Sequence, residues 1–288
     1  MRCLILGGDG MLGHQLMVTL SARNEVRCTL RQDEAAYAQY GLFNRGNAWF
    51  GVDARDQSRL EAIVGEWRPD VLINAVGIVK QRSDSHDMIP SLEINALLPH
   101  RLAVLCKAAG ARLIHVSTDC VFDGKDGGYT EESLSNATDI YGKTKFLGEV
   151  HDDHCLTLRT SIIGFELSRK SSLLEWFLAQ TGTVKGFRRA IFSGFSTVEL
   201  SRIIDRMIHE HPQAHGLFQV SSEAIDKFTL LTLIRDRFGL NTQIVPDDDF
   251  VCDRSLDSSR FRREFGYTPP SWDEQISELA ALRKAARP

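Results

Sequence analysis

"RCLILGGDGMLG", residues 2–13, decides how the fold is read. An apolar run of strand length meets a glycine turn with Gly7, Gly10 and Gly13 in G-x-x-G-x-x-G spacing. A helix-like run, "MLGHQLMVTLSA", follows at once. Glycine allows a tight turn and lets the backbone approach a pyrophosphate. The N–H groups at the helix start, with the helix dipole, favour anionic phosphates. A glycine triplet alone is weak evidence; strand, glycine turn and helix in that order are strong. Met11 and Leu12 lie inside the turn and join the three glycines as candidate cofactor-binding positions.

The pattern repeats outward from there. Apolar runs recur at 25–30, 70–76, 112–117 and 155–164, separated by helix-like stretches at 11–23, 56–66, 91–109 and 141–151. Strands alternating with helices imply right-handed crossovers and a parallel sheet. Continuous apolar runs suit strands covered on both faces. The expectation is an α/β protein: a Rossmann-type doubly wound domain over residues 1–164. Beyond 165 the rhythm changes to helices at 171–180, 196–211, 229–240 and 271–287 and a strand at 215–222. Residues 165–288 are expected to form mainly a smaller mixed substrate-binding lobe, with strands near 190–222 returning to the main sheet.

Composition narrows the function. The 288 residues are 43% hydrophobic and 25% charged, with a formal net charge of -4. These values fit a soluble globular protein and exclude a general nucleic-acid or anionic-membrane binder. No run reaches the roughly 18 apolar residues of a membrane span, and the first apolar run is too short for a signal peptide. A cytoplasmic protein is expected. The six cysteines form no C-x-x-C pair and suit a reducing compartment as small core residues. The nine histidines form no metal-ligand motif, so no metal is expected; "DDD" at 247–249 reads as a solvated loop.

Cofactor choice rests on the end of the second strand, where an acid usually meets the ribose 2′-OH of NAD and arginine the 2′-phosphate of NADP. Here the strand runs into Arg31, with Asp33 and Glu34 two and three residues on. NADP(H) is favoured over NAD(H), with Arg31 as a solvated loop residue the plain alternative. Asp53, in "VDARD", is placed to cap a helix or to approach the adenine. Ala75, Val76 and Gly77 leave room for a cofactor at the sheet edge.

"DIYGKTKFLGE", 139–149, sets Tyr141 and Lys145 one helical turn apart. Positions i and i+4 share a helix face, and an ammonium there favours a phenolate. On spacing alone two solvated surface residues fit as well. Lys80 and Arg82 sit in a loop at the same sheet edge, where a phosphate or plain solvent could meet them. Arg188 and Arg189 could clamp a nucleotide diphosphate, since a guanidinium binds phosphate oxygens bidentately.

Taken with "STDCVFDG", "NAVG", "LEINALLPHRLA", "LRTSIIG" and "SSRFRREFGYTP", these stretches resemble the extended short-chain dehydrogenase/reductase family, and within it the dTDP-4-dehydrorhamnose reductase branch. The resemblance implies a nucleotide-sugar substrate and a reductase of a nucleotide-linked 4-keto-6-deoxy sugar, serving deoxysugar or surface-polysaccharide synthesis. It implies Tyr141 as general acid, with Lys145 stabilising its phenolate and binding the nicotinamide ribose. Thr118 would hold the carbonyl oxygen, with its neighbour Ser117 a weaker candidate. Asn95 would position a water or the lysine. Asp119 and Asp123 would flank the substrate mouth. Some members of the branch dimerise, so a homodimer is possible. The D-Q-x-G-x-P-T stretch usual in the branch is replaced by "GFRRAIFSGFST", which leaves the particular sugar open. An epimerase or dehydratase of the same family, or a non-catalytic NADP-binding regulatory subunit, are the rival readings.

Overall fold

The computed structural model describes residues 1–79, 87–168 and 170–285. In chain order the elements are β1 (Arg2–Leu6), α1 (Met11–Leu20), β2 (Glu25–Thr29), α2 (Glu34–Tyr37), β3 (Ala48–Trp49), α3 (Gln57–Trp67) and β4 (Val71–Asn74). A composite helix follows: α4 (Met88–Ser91), a π-helical segment (Leu92–Leu97) and α5 (Leu98–Ala109). Next come β5 (Arg112–Thr118), α6 (Ile140–Leu147), β6 (Cys155–Thr160), β7 (Ile162–Ile163), α7 (Leu173–Leu178), β8 (Thr183–Phe187), β9 (Ala190–Phe192) and β10 (Phe195–Ser196). The chain ends through α8 (Thr197–His209), β11 (Gly216–Gln219), β12 (Ile225–Asp226), α9 (Lys227–Phe238), β13 (Gln243–Asp247), β14 (Cys252–Asp253), α10 (Ser259–Phe265) and α11 (Trp272–Ala285).

The main sheet has seven strands in the order β11-β6-β5-β4-β1-β2-β3. Every pair from β3 to β5 is parallel. The order reverses at β1, where one half of the sheet turns away from the other. That switch point is where Rossmann-type sheets bind ligands. The α/β, doubly wound reading therefore holds.

The chain divides into two compact units. The first comprises residues 1–117, 138–158 and 201–217; the second comprises 118–137, 159–200 and 218–288. In the first, Leu4, Leu6 and Leu72 are fully buried together with Leu60, Ile63, Leu98 and Leu102 from α3 and α5. Strands buried on both faces explain why the sequence shows continuous rather than alternating apolar runs. The Arg112 guanidinium donates to the carbonyls of Met207 and Ala214, both at 2.6 Å, and so ties β5 to α8. Burial lowers its pKa to about 10.

The second unit has its own core, with Leu174, Phe177, Leu230, Ile234, Trp272 and Ile276 at its centre. Two small sheets, β12-β9-β14 and β13-β8, flank it. Helix ends here follow their sequence signals. Ser196 Oγ accepts from Glu199 N at 3.1 Å. Gly239 closes α9 in the left-handed conformation, φ 64°. Ser271 and Glu274 form a reciprocal capping box at the start of α11, with bonds of 2.7 and 3.2 Å.

Some expectations are corrected. The run 155–164 is two strands, not one: β6 stops at Thr160, and β7 pairs with β10 instead. The helix expected from 91 begins at Met88. The helix expected to 151 stops at Leu147, where Gly148 takes the cap. Strands β8, β12, β13 and β14 were not legible, because they are short, only partly buried and carry Lys, Gly, Pro and Asp.

Candidate active site

The glycine turn is built for close approach. Gly7 has φ 81°, and a Cβ there would stand 2.9 Å from Val76 Cγ2. A Cβ on Gly13 would run into the Gly7 carbonyl oxygen. Gly10 caps α1 without any side-chain cap bond, so the helix start presents backbone N–H groups, as an anion site requires. Gly7 and Gly8 are stitched to the end of β2: Gly8 N donates to Thr29 O at 3.1 Å and Gly7 N to Thr29 Oγ1 at 3.3 Å. Val76 packs against the turn, and Ala75 N donates to Leu6 O at 3.2 Å. A cradle that a Cβ would fill, lined by open helix-terminal amides, fits a dinucleotide.

Arg31 follows directly, exposed just beyond β2. The two acids near it in sequence are engaged elsewhere. Asp33 caps α2 by accepting from Ala36 N at 3.1 Å, and Glu34 pairs with Arg45 at 2.8 Å. Asp53 does not cap a helix. Its carboxylate pairs with Arg55 at 2.6 Å, and that bond holds its pKa below the usual carboxylate range. The cap of α3 is Asp56, which accepts from Arg59 N at 3.0 Å.

Lys145 lies on α6 one turn beyond Tyr141 and is buried. Its Nζ donates to the Val116 carbonyl of β5 at 2.7 Å. Burial lowers its pKa to about 8, against the opposing pull of Glu149. Glu149 is itself buried and accepts from Ser117 Oγ at 2.7 Å. That bond engages the hydroxyl of Ser117, the weaker of the two strand-end candidates. Glu149 was missed as a site residue, although its i+4 spacing from Lys145 was a readable signal. The neighbouring His115 is fully buried, which pushes its imidazole well below the ordinary value and leaves it neutral.

Asn95 sits in the π-helical segment, an arrangement rare in proteins and frequent at functional sites. Its amide oxygen accepts from Ile78 N at 2.9 Å, and its nitrogen donates to Ile78 O at 3.0 Å and Thr144 Oγ1 at 3.3 Å. It therefore clamps the loop after β4 against α6, rather than holding the lysine directly. A Cβ on Gly148 would strike the Asn95 carbonyl, so the two helices meet backbone to backbone there. A Cβ on Gly77 would stand at ordinary contact distance, 3.5 Å, from Asn95 Oδ1.

In the second unit, Thr118 Oγ1 accepts from Cys120 N and donates to Asp119 Oδ1, both at 3.1 Å. Asp119 is buried, and burial raises its carboxyl above the ordinary range despite the opposing Arg254. Asp123 builds a turn: it accepts from Lys125 N at 3.1 Å and from the Tyr129 hydroxyl at 3.2 Å. Arg188 is paired with Asp248 and Lys185 with Asp247, so two of the three consecutive acids are ion-paired. Arg189 is exposed. Lys80, Arg82 and His86 lie outside the described residues. Among the described residues no cluster of His, Cys, Asp and Glu could hold a metal ion, and no helix is long and apolar enough to cross a membrane.

Comparisons with known proteins show what the chain is similar to. The model of the RmlD substrate binding domain matches residues 1–175. The spore coat polysaccharide biosynthesis protein SpsK of Bacillus subtilis is 25% identical over 301 residues, covering 99% of both chains. Methionine adenosyltransferase 2 subunit beta of Xenopus laevis is 34% identical over 152 residues, 51% of this chain and 41% of that protein. The crystal structure of a hypothetical dTDP-4-dehydrorhamnose reductase from Sulfolobus tokodaii superposes with a TM-score of 0.77 at 28% identity, over 95% of this chain and 98% of the other.

Proposed function

The chain belongs to the RmlD substrate binding domain family, and from that premise we propose that it is an NAD(P)H-dependent reductase of a nucleotide-linked 4-keto-6-deoxy sugar. Its place would be in deoxysugar or surface-polysaccharide biosynthesis, in keeping with its likeness to SpsK. One observation carries the reading: a buried lysine, one helical turn from a tyrosine, anchored by Nζ to a strand carbonyl at 2.7 Å. A lysine that served only solubility would not be buried.

The residues present divide the work. Gly7, Gly10, Met11, Leu12 and Gly13 would hold the pyrophosphate, and Arg31 would meet a 2′-phosphate, which favours NADP(H). Ala75, Val76 and Gly77 would line the nicotinamide end. The dinucleotide, when bound, supplies the hydride. Tyr141 gives its phenolic proton to the carbonyl oxygen as that oxygen becomes an alcohol, the task of a general acid. An ordinary tyrosine holds its proton to about pH 10. The Lys145 ammonium lowers the cost of leaving a phenolate behind. Thr118, two residues along β5 from the Val116 carbonyl, is assigned the second hydrogen bond to the substrate oxygen, for which its hydroxyl would first have to turn from Asp119 Oδ1. Asn95 keeps α6 and the loop after β4 in register. Asp119 and Arg189 remain the candidates for the sugar nucleotide. Arg188 would first have to leave Asp248.

A second reading is a cofactor-binding subunit without turnover; its support is the likeness to a protein named as the beta subunit of methionine adenosyltransferase 2, a subunit and not a reductase by name. Absorbance at 340 nm separates the two. With a 4-keto-6-deoxy nucleotide sugar generated in the same tube, the reductase oxidises NADPH in proportion to sugar. Cofactor binding without sugar-dependent oxidation would support the subunit instead.

A further inference from the structure

Beyond Arg31, the glycine turn of the first unit holds a second charged group. Asp9 lies inside the glycine turn, between Gly8 and Gly10. Its Oδ2 accepts from the Tyr37 hydroxyl at 2.9 Å. Tyr37 lies in α2, just beyond Arg31 in the segment that follows β2. Its ring is buried and packs edge-on against Phe43 at 5.6 Å and beside Phe50 at 6.2 Å. The hydroxyl also accepts from Gln32 N at 3.3 Å. Burial pushes the Tyr37 phenol up to about 12, so it stays protonated and donates to the carboxylate.

The position matters because the ribose next to the adenine sits at the end of β2, beside the pyrophosphate turn. The other carboxylates there are already engaged: Asp33 on a helix cap, Glu34 on Arg45 and Asp53 on Arg55. Arg31 makes no hydrogen bond or ion pair among the described residues. The end of β2 thus carries one open cation, and the turn one tethered anion.

We propose that Asp9, held by Tyr37, is a specificity residue for the dinucleotide. Its carboxylate opposes the 2′-phosphate that Arg31 attracts, and it offers an acceptor to a ribose 2′-hydroxyl. Arg31 and Asp9 therefore pull the preference between NADPH and NADH in opposite directions. The inference rests on the cofactor reading above but not on the identity of the sugar.

Its test is equilibrium binding of NADPH and of NADH, followed by nucleotide fluorescence with no sugar present. Asp9→Asn keeps the size of the side chain and removes its charge. The ratio of the two dissociation constants should move toward NADPH by roughly five- to tenfold, the scale of one partly solvated charge contact. Arg31→Ala should move it the other way. Tyr37→Phe keeps the ring packing and loses the tether; it should shift the ratio in the same direction as Asp9→Asn, by less. An unchanged ratio in Asp9→Asn, with both cofactors still bound, would overturn the proposal. No binding of either cofactor by the folded wild-type protein would overturn the cofactor reading itself.

Discussion

Lys145 Nζ donates to the carbonyl oxygen of Val116 at 2.7 Å, which fixes an ammonium of α6 onto strand β5 two residues before the strand ends at Thr118. The bond settles which way the lysine points. Spacing along the helix could only say that Tyr141 and Lys145 share a face.

Burying that ammonium has a pH signature. The folded-state pKa is lowered to about 8 from 10.5, so between these values the unfolded chain binds more protons than the folded one. Stability attributable to this group must rise with pH across that window. Below pH 8 the burial penalty is fully present. The difference in unfolding free energy between wild type and Lys145→Met should therefore move in favour of wild type as pH goes from 8 to 10.5. Urea unfolding of the pair at several pH values checks it; a difference independent of pH would refute the buried ammonium.

The Asn95 clamp makes a separate prediction. Asn95→Ala leaves the Ile78 N–H and C=O without their side-chain partners in a buried setting. The loss should be about 1–3 kcal/mol of stability per unsatisfied group, with weaker cofactor binding, since Ile78 follows Gly77 directly. Asn95→Ala with wild-type unfolding and wild-type affinity would show that the clamp carries nothing.

Two glycines make a matched pair. Gly13→Ala drives a Cβ into the Gly7 carbonyl and stands 3.0 Å from Gly8 Cα. It should cost about 1–3 kcal/mol, the usual range for overpacking, and cofactor affinity should fall with it. Gly65, inside α3, has nothing within 4 Å of an added Cβ. Gly65→Ala should stabilise by about 0.5–1 kcal/mol through helix propensity and leave binding unchanged. Thermal melts with and without NADPH read both.

The contrast between the two shows what a sequence discloses. Gly13 was legible because strand, turn and helix adjoin in the chain, and each element constrains the next. The same holds for Tyr141 with Lys145. Groups that meet across long stretches of chain were not legible. Nothing local announces that Asn95 closes on Ile78 and Thr144, or that Asp9 takes its partner from position 37. Arg188 reads as a free phosphate clamp until β13 brings Asp248 beside it. Asp53 and Asp56 differ by three positions, and only the backbone decides which one caps α3.

The central claim is that Tyr141 delivers the proton that completes reduction of the sugar carbonyl. The most direct measurement is sugar-dependent NADPH oxidation by wild type and Tyr141→Phe side by side, with NADPH binding measured on both. Wild type should turn over. Tyr141→Phe should bind NADPH as wild type does and lose roughly 10²- to 10⁴-fold in rate, the range of a general acid. A Tyr141→Phe protein that oxidises NADPH near the wild-type rate would contradict the account.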